Sequence, residues 1–171
     1  YRSDALIDAA IRYINENKDS PFFLFISTVE PHMQNQTDEF PPPDGYRQRY
    51  TGRWTPGDLE SLPGSAPRHL GGYWAMVKRL DEGLGRLSDA LKSLDIKDNT
   101  ILAYTSDHGC HFKTRNTEYK RSCHDSSCRI PMAITGGCFI PGPTINTPVS
   151  LIDLAPSLLE AAGISPPVYM Q

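Results

Sequence analysis

The sequence has few cysteines, little net charge and no long apolar run. Its 171 residues include four cysteines, fewer and more closely grouped than in small secreted domains held together by disulfides. Lysines and arginines number 17 and aspartates and glutamates 20, which excludes the basic footprint of a nucleic-acid-binding protein and the charge imbalance of a disordered chain. No stretch approaches the roughly 18 apolar residues of a membrane span. The sequence therefore predicts one globular domain over residues 1–171.

Apolar residues at helical spacing predict three helices. The first begins near Ser3 or Asp4, either of which suits an N-cap, and ends before Pro21. A long amphipathic helix is predicted over 69–94. The last helix carries its apolar stripe over 151–162, and the following glycine, at position 163, is typical of a helix C-terminus.

Three short apolar runs predict strands over 22–27, 100–105 and 130–135. The region 30–67 is rich in proline and glycine and has no clear periodicity, which indicates a long loop. Strands separated by helices favour parallel pairing with right-handed crossovers. We therefore expect an α/β fold with a parallel (mixed) sheet flanked by helices, in which 22–27 and 100–105 are neighbours or near-neighbours.

Polar side chains suited to a charged ester follow the first two predicted strands. His32 comes after the first strand, Asp107 and His108 directly follow the second, and Lys120 lies in the loop beyond. Because the carboxyl ends of parallel strands meet at one edge of a sheet, we expect these residues to face one pocket. An adjacent carboxylate and imidazole suit a cation, and a lysine suits an anionic oxygen. The alternative is that Asp107 only begins a turn and His108 is a surface residue.

The cysteines allow a different interpretation. Cys110 and Cys123 each precede a histidine, and Cys128 follows shortly after, so thiolate and imidazole ligands for zinc are present. The paired Cys-x-x-Cys spacing of zinc knuckles is absent from the sequence, however. Disulfides, free thiols and a metal site all remain open at this point.

The ordered combination of motifs resembles the sulfatase family of the alkaline-phosphatase superfamily over most of the chain. The matching motifs are the run 22–32 ending in Pro-His, the helix 73–87, the segment 98–109 ending in Ser-Asp-His-Gly, Lys120, Arg-Ile-Pro at 129–131 and the helix 151–159. Their order is far more specific than any one of them. The resemblance therefore implies an alkaline-phosphatase-like sulfatase domain.

The resemblance also implies roles for individual residues. Asp107 and His108 match the metal-binding pair, with Ca²⁺ as the family metal and Mn²⁺ as the alternative because one ligand is nitrogen. Lys120 and His32 match catalytic residues beside the sulfate ester. His124 lies where a substrate-binding role is expected. Arg129 is expected to brace the loop through an ion pair with Asp125.

Two parts of the family pattern are missing from this sequence. The Cys/Ser-x-Pro/Ala-x-Arg motif that yields the formylglycine nucleophile is not found, nor is the Asp-Asp metal pair that precedes it. We therefore expect a central-to-C-terminal part of a longer catalytic domain, which needs the remainder of the same polypeptide as its partner. A hard divalent cation takes six to eight oxygen ligands, so the two ligands here should bind metal weakly alone.

The resemblance implies that the longer protein hydrolyses sulfate monoesters of a small molecule or a carbohydrate, with no nucleic acid involved. A phosphonate monoester or phosphodiester hydrolase of the same superfamily is the alternative, and an inactive folded module is the non-enzymatic one. Family resemblance alone implies a periplasmic, extracellular or lysosomal location. Tyr46, Tyr50 and Trp54 in the long loop suit either stacking on a sugar ring or pinning the loop to the protein.

Overall fold

A computed structural model of the chain describes residues 1–139, 142 and 144–170, in two compact units. Unit 1 comprises Tyr1–Ile96 and His108–Arg129, and unit 2 comprises Lys97–Asp107 and Ile130–Gln171. Unit 1 contains the helices α1 (Arg2–Asn17), α2 (Arg47–Tyr50), α3 (Gly57–Glu60), α4 (Ala66–Ser93) and α5 (Asp125–Cys128). Unit 2 contains the strands β1 (Leu102–Thr105) and β2 (Met132–Thr135), the helix α6 (Leu154–Ala161) and 3₁₀ turns at Lys97–Asn99 and Leu151–Asp153.

Helix α1 packs against α4 through its predicted apolar face. Ile7, Ala10 and Ile14 are buried there, and Arg79 of α4 donates to Asp4 at 2.7 Å beside them. The predicted cap is wrong in detail, because the N-cap residue is Tyr1 and no side chain caps the helix. Ser3 is instead buried inside the first turn.

Helix α4 confirms the long amphipathic helix predicted over 69–94. Its buried face carries Leu70, Met76, Leu87 and Leu91. The long loop folds over the N-terminal half of this face and places Phe40, which is 1% exposed, into the core. This core anchors the loops that carry the candidate site.

The predicted strand at 22–27 is not formed among the residues that the structure describes. The segment 21–29 has no regular ladder, yet its side chains alternate between exposed and half-buried positions, as in an extended strand. Phe22 packs edge-on against Tyr13 of α1, whereas Phe23 and Phe25 are 75% and 77% exposed. A continuous apolar run predicts a strand covered on both faces; here only one face is covered.

In unit 2, β1 and β2 form a two-stranded antiparallel sheet with Leu102 opposite Thr135 and Thr105 opposite Met132. The strands 100–105 and 130–135 were thus placed within two residues, and they form an antiparallel pair, which a mixed sheet allows. A parallel pair needs a crossover, usually a helix. The chain between these strands contains only the four-residue α5. A parallel sheet that also includes 22–27 is not found in the described part of the chain.

The C-terminal helix ends as its sequence predicts. Gly163 adopts φ +76°, and its N–H donates to the carbonyl of Glu160 at 2.9 Å. The Ile164 N–H donates to Leu159 at 2.9 Å, which completes the paired hydrogen bonds of a Schellman motif. Upstream, Ser150 and Asp153 form a reciprocal capping box. Among the described residues, no helix combines the length and apolar character needed to cross a membrane.

Candidate active site

The predicted site residues Lys120 and His108 are in direct contact. Lys120 Nζ donates to His108 Nε2 at 2.8 Å, and His108 Nδ1 lies 2.8 Å from the carbonyl oxygen of Gly109. An ammonium can only donate, so Nε2 is the unprotonated nitrogen and Nδ1 carries the proton toward Gly109. Both residues are half-buried. The Lys120 side chain is thus held against the His108 ring.

The loop between these two residues is closed by backbone hydrogen bonds. The His111 N–H donates to the Tyr119 carbonyl at 2.7 Å, and the Gly109 N–H donates to Ser127 at 2.8 Å. A Cβ at Gly109 would lie 2.2 Å from the Ser126 carbonyl oxygen, so only glycine permits this approach. Consequently His108 and Lys120 are brought together although 12 residues separate them.

The middle of this loop is anchored on the N-terminal end of α4. Phe112 is 2% exposed and packs on Phe40 and Tyr73, with ring centroids 5.4 and 5.2 Å apart. Its carbonyl oxygen accepts hydrogen bonds from the Ser65 N–H at 2.7 Å and from Ser65 Oγ at 3.1 Å. The loop that carries Lys120 is therefore anchored by the packing of Phe112 and by its hydrogen bonds to Ser65.

Asp38 of the long loop forms polar contacts with the same loop, through Tyr119 and Lys113. Tyr119 OH donates to Asp38 Oδ1 at 2.6 Å, and Lys113 Nζ donates to the same oxygen at 3.0 Å. The Tyr119 hydrogen bond, and then that of Lys113, hold the pKa of Asp38 below its ordinary value. The Asp38 hydrogen bond in turn raises the pKa of Lys113. Asp38 is therefore a carboxylate with three polar neighbours, since Arg68 also lies 3.6 Å away.

Sequence reasoning missed this anchoring cluster of Phe40, Phe112, Tyr119 and Asp38. Its aromatic members lie in stretches without helical or strand periodicity, so pattern analysis assigned them to loops. The available signal was an unusual density of aromatic residues in polar segments, which indicates loops packed on their own core.

Two histidines are buried in this region. His69 and His111 are each 0% exposed, and burial lowers the pKa of both. His69 Nδ1 lies 3.4 Å from Tyr119 OH, whereas both ring nitrogens of His111 lack a hydrogen-bond partner within the described residues. Both rings are therefore neutral near pH 7.

His32, His124 and Arg129 have polar contacts within their own segments of the chain. His32 is exposed, and its Nδ1 lies 2.5 Å from the Met33 carbonyl oxygen. His124 is exposed at the start of α5, where its carbonyl accepts from the Ser127 N–H at 2.8 Å. Arg129 lies 3.7 Å from Asp125, as expected, but both side chains are 83% exposed, so this pair braces the loop only weakly.

The cysteines give no support to the zinc interpretation. All four are free, and the described residues contain no group of three or more His, Cys, Asp and Glu side chains that could hold a metal ion. Cys110 is half-buried, and burial raises the pKa of its thiol to about 11. This thiol is therefore a poor metal ligand and a poor nucleophile at neutral pH.

Asp107 and His108 fit part of a metal centre. A metal-binding histidine commonly donates its second ring N–H to a carbonyl, which fixes the free nitrogen toward the ion. His108 Nδ1 has this form, lying against the Gly109 carbonyl, while its Nε2 is the nitrogen in contact with Lys120 Nζ. Asp107 is the residue directly before His108 and is exposed. These residues alone supply too few ligands for Ca²⁺.

Comparison with known proteins identifies the family of the chain. The sulfatase family model matches residues 1–164, and the chain therefore belongs to the sulfatase family. It is 28% identical to an ulvan-active sulfatase of Formosa agariphila over 180 residues, covering 98% of this chain and 34% of the relative. Among solved structures it is similar to yidJ of Bacteroides fragilis, with a TM-score of 0.82 and 28% identity, over 99% of this chain and 39% of that one.

A second solved structure, Ps i-CgsB in complex with k-i-k-neocarrahexaose, has a TM-score of 0.71 and 27% identity, with 98% of this chain and 35% of that one covered. The chain thus spans only about a third of the length of the ulvan-active sulfatase and of Ps i-CgsB. These neighbours share the alkaline-phosphatase-like sulfatase fold, and the described strands and helices agree with an α/β class.

Proposed function

We propose that the complete protein carrying this chain is a sulfuric ester hydrolase that cleaves sulfate monoesters. The observation that carries the proposal is the 2.8 Å contact between Lys120 Nζ and His108 Nε2 in a chain of the sulfatase family. A lysine held against this ring suits an anionic ester, because its ammonium is a point charge with N–H groups that can meet an ester oxygen.

Lys120 is proposed to act on the ester oxygen that leaves. When the sulfur–oxygen bond breaks, its electron pair remains on that oxygen, and an ammonium N–H can stabilise or protonate it. His32 is proposed to contact the same ester, and His124 to contact the substrate farther from sulfur. His108 Nε2 accepts a hydrogen bond from Lys120 Nζ and so orients the ammonium. A cation bound at Nε2 would take the place of that hydrogen bond and leave the ammonium to the ester.

Asp107 and His108 are proposed as metal ligands, with Ca²⁺ as the expected ion. A bound divalent cation would polarise the sulfuryl oxygens and attract the anionic ester. The formylglycine nucleophile and the further ligands are proposed to lie in the part of the polypeptide outside this chain. From the family as well, the extended segment 22–29 is proposed to be a strand of a larger mixed sheet.

The proposed substrate is a sulfated carbohydrate. The support is similarity to a protein crystallised with a neocarrahexaose and to one named for its activity on ulvan. The aromatic residues of the long loop contribute to its packing: Tyr46 OH donates to Glu82 at 2.8 Å, and the Trp54 and Trp74 rings lie 5.9 Å apart. A periplasmic, extracellular or lysosomal location is proposed from the family alone.

Replacing Lys120 by alanine in the complete protein tests the function. We expect kcat on an aryl sulfate to fall by about 100- to 1000-fold, as when one donor to a developing oxyanion is removed, with a smaller change in KM and in Tm. Lys92→Ala is the matched control, since Lys92 is an exposed lysine paired with Asp89 at 3.4 Å on α4.

Full kcat in Lys120→Ala would remove this residue from the mechanism. Faster cleavage of a phosphonate monoester than of the sulfate ester by the unaltered protein would overturn the substrate class and favour a phosphonate hydrolase of the same superfamily.

A further inference from the structure

Asp38 links the long loop to both halves of the loop that carries Lys120. Its Oδ1 accepts from Lys113 Nζ at 3.0 Å, near the beginning of that loop, and from Tyr119 OH at 2.6 Å, near its end. Lys113 Nζ also lies 4.8 Å from the Tyr119 ring centroid. One carboxylate oxygen therefore fixes the distance between two points of the same loop.

The backbone at this contact is in an unfavourable conformation. Asp38, Phe112 and Lys113 have φ values of +50°, +50° and +60°, in the left-handed region that residues other than glycine seldom adopt. Such residues persist where their surroundings fix them, and they cluster at functional sites. Here the surroundings are the buried Phe112 ring, the Ser65 hydrogen bonds to Phe112 and the Asp38 carboxylate.

Tyr119 transmits this restraint to Lys120, the next residue. Its ring lies 5.7 Å from that of Phe40 and 6.0 Å from that of His69, and its carbonyl accepts the His111 N–H at 2.7 Å. With ring, hydroxyl and carbonyl all held, the backbone from which the Lys120 side chain extends is fixed. The Lys120 ammonium then reaches His108 at 2.8 Å.

From these contacts we propose that Asp38 is a positioning residue for Lys120, a proposal that rests on the proposed sulfatase function. Asp38 acts through Tyr119 and Lys113 and does not touch the ester itself. An ordinary surface ion pair contributes little, and the side chain of Asp38 is 40% exposed. The effect of removing Asp38 is therefore expected on the placement of the Lys120 ammonium more than on folding.

The experiment compares substrates with different leaving groups in the complete protein. Help from Lys120 matters most when the leaving oxygen is basic, as in phenyl sulfate, and least for 4-nitrophenyl sulfate. We expect Asp38→Ala to lower kcat on phenyl sulfate by about 10- to 100-fold, the usual effect of a misplacement of about 1 Å. The loss on 4-nitrophenyl sulfate should be several-fold smaller, with KM nearly unchanged.

Matched variants separate positioning from a structural role. Asp89→Ala removes another aspartate paired with a lysine, on α4, and should change neither rate. Tyr119→Phe keeps the packed ring but removes the hydroxyl, and it should show the same leaving-group dependence in a milder form. If Asp38→Ala does not fold, the Tyr119→Phe comparison decides the question alone.

A double-mutant cycle distinguishes the two proposals. With Lys120→Ala in place, Asp38→Ala should cause no further loss on phenyl sulfate, because the group it positions is gone. If Lys120→Ala slows the reaction but Asp38→Ala and Tyr119→Phe have no effect or slow both substrates equally, the positioning role is overturned and the proposed function stands. If Lys120→Ala itself has no effect, the proposed function fails.

Discussion

His69 and His111 are buried rings, and His69 lies against Phe40 and Tyr119 of the aromatic core that supports the site loop. Each is 0% exposed, and burial is the main cause that lowers the pKa of each imidazole. In the unfolded chain the side chains of the same residues have a pKa of about 6.5. Below that pH the unfolded state binds protons that the folded state does not, so the folded state loses stability as the pH falls.

We expect the free energy of unfolding to be constant near pH 7.5 and to decline as the pH falls below about 6.5 toward the lowered folded pKa values. His111→Leu should make this decline shallower, because it removes one of the two groups and leaves no bonded partner behind. Urea unfolding from pH 7.5 to 5.5 measures the slope. His124→Leu, at an exposed position, is the control; equal slopes for all three proteins would contradict the argument.

At the scale of elements, the extended segment 22–29 has the alternation of a strand but no ladder partner among the described residues. Three of its four exposed residues are aromatic or β-branched: Phe23, Phe25 and Val29 are 75%, 77% and 50% exposed. Apolar side chains on an unpaired, extended backbone favour association with other chains.

Replacing Phe23 and Phe25 together by threonine should therefore reduce self-association of the 171-residue chain with little change in Tm. Phe22→Thr is the contrasting variant, because the Phe22 ring packs against Tyr13 with centroids 6.2 Å apart and its loss should lower Tm. Light scattering and thermal unfolding measure the two effects. Unchanged scattering in the double variant would show that this face is not the one through which chains associate.

The longer helices α1, α4 and α6 were predicted more completely than the pairing of the strands. Positions 69–94 carry a stripe that α4 buries along its own length, and the glycine at 163 ends α6 by a local hydrogen-bond pattern, so both can be inferred from neighbouring residues. Strand pairing depends on which distant segment supplies the partner. For that reason the sequence alone could not predict that β1 and β2 run antiparallel. Nor could it predict that 22–29 has no ladder partner among the described residues.

For the whole molecule, we expect the 171-residue chain alone to lack sulfatase activity. It spans about a third of the length of the ulvan-active relative, and its described residues contain no group of three candidate metal ligands. An aryl sulfate assay with added Ca²⁺ measures this. Turnover that survives purification and disappears in Lys120→Ala would contradict the expectation.

From the sequence, candidate site residues could be proposed only where motif residues lie close along the chain. Asp107, His108 and Lys120 were identified by resemblance, and the structure places Lys120 against His108. The contribution of Asp38 could not be predicted, because it lies 81 residues before Tyr119 in a segment without periodicity. A long-range contact between two loops has no local pattern.

The backbone hydrogen bond from His111 to Tyr119 also determines where this loop can change in length. Residues 115–118 lie between the two anchored ends and are exposed. Adding residues to a flexible surface loop costs little, because closure entropy grows only with the logarithm of length. Insertions at 115–118 would leave Tyr119, and hence Lys120, in place. Segment 115–118 can therefore differ in length between related proteins, and can contact different molecules, while the Lys120–His108 contact is retained.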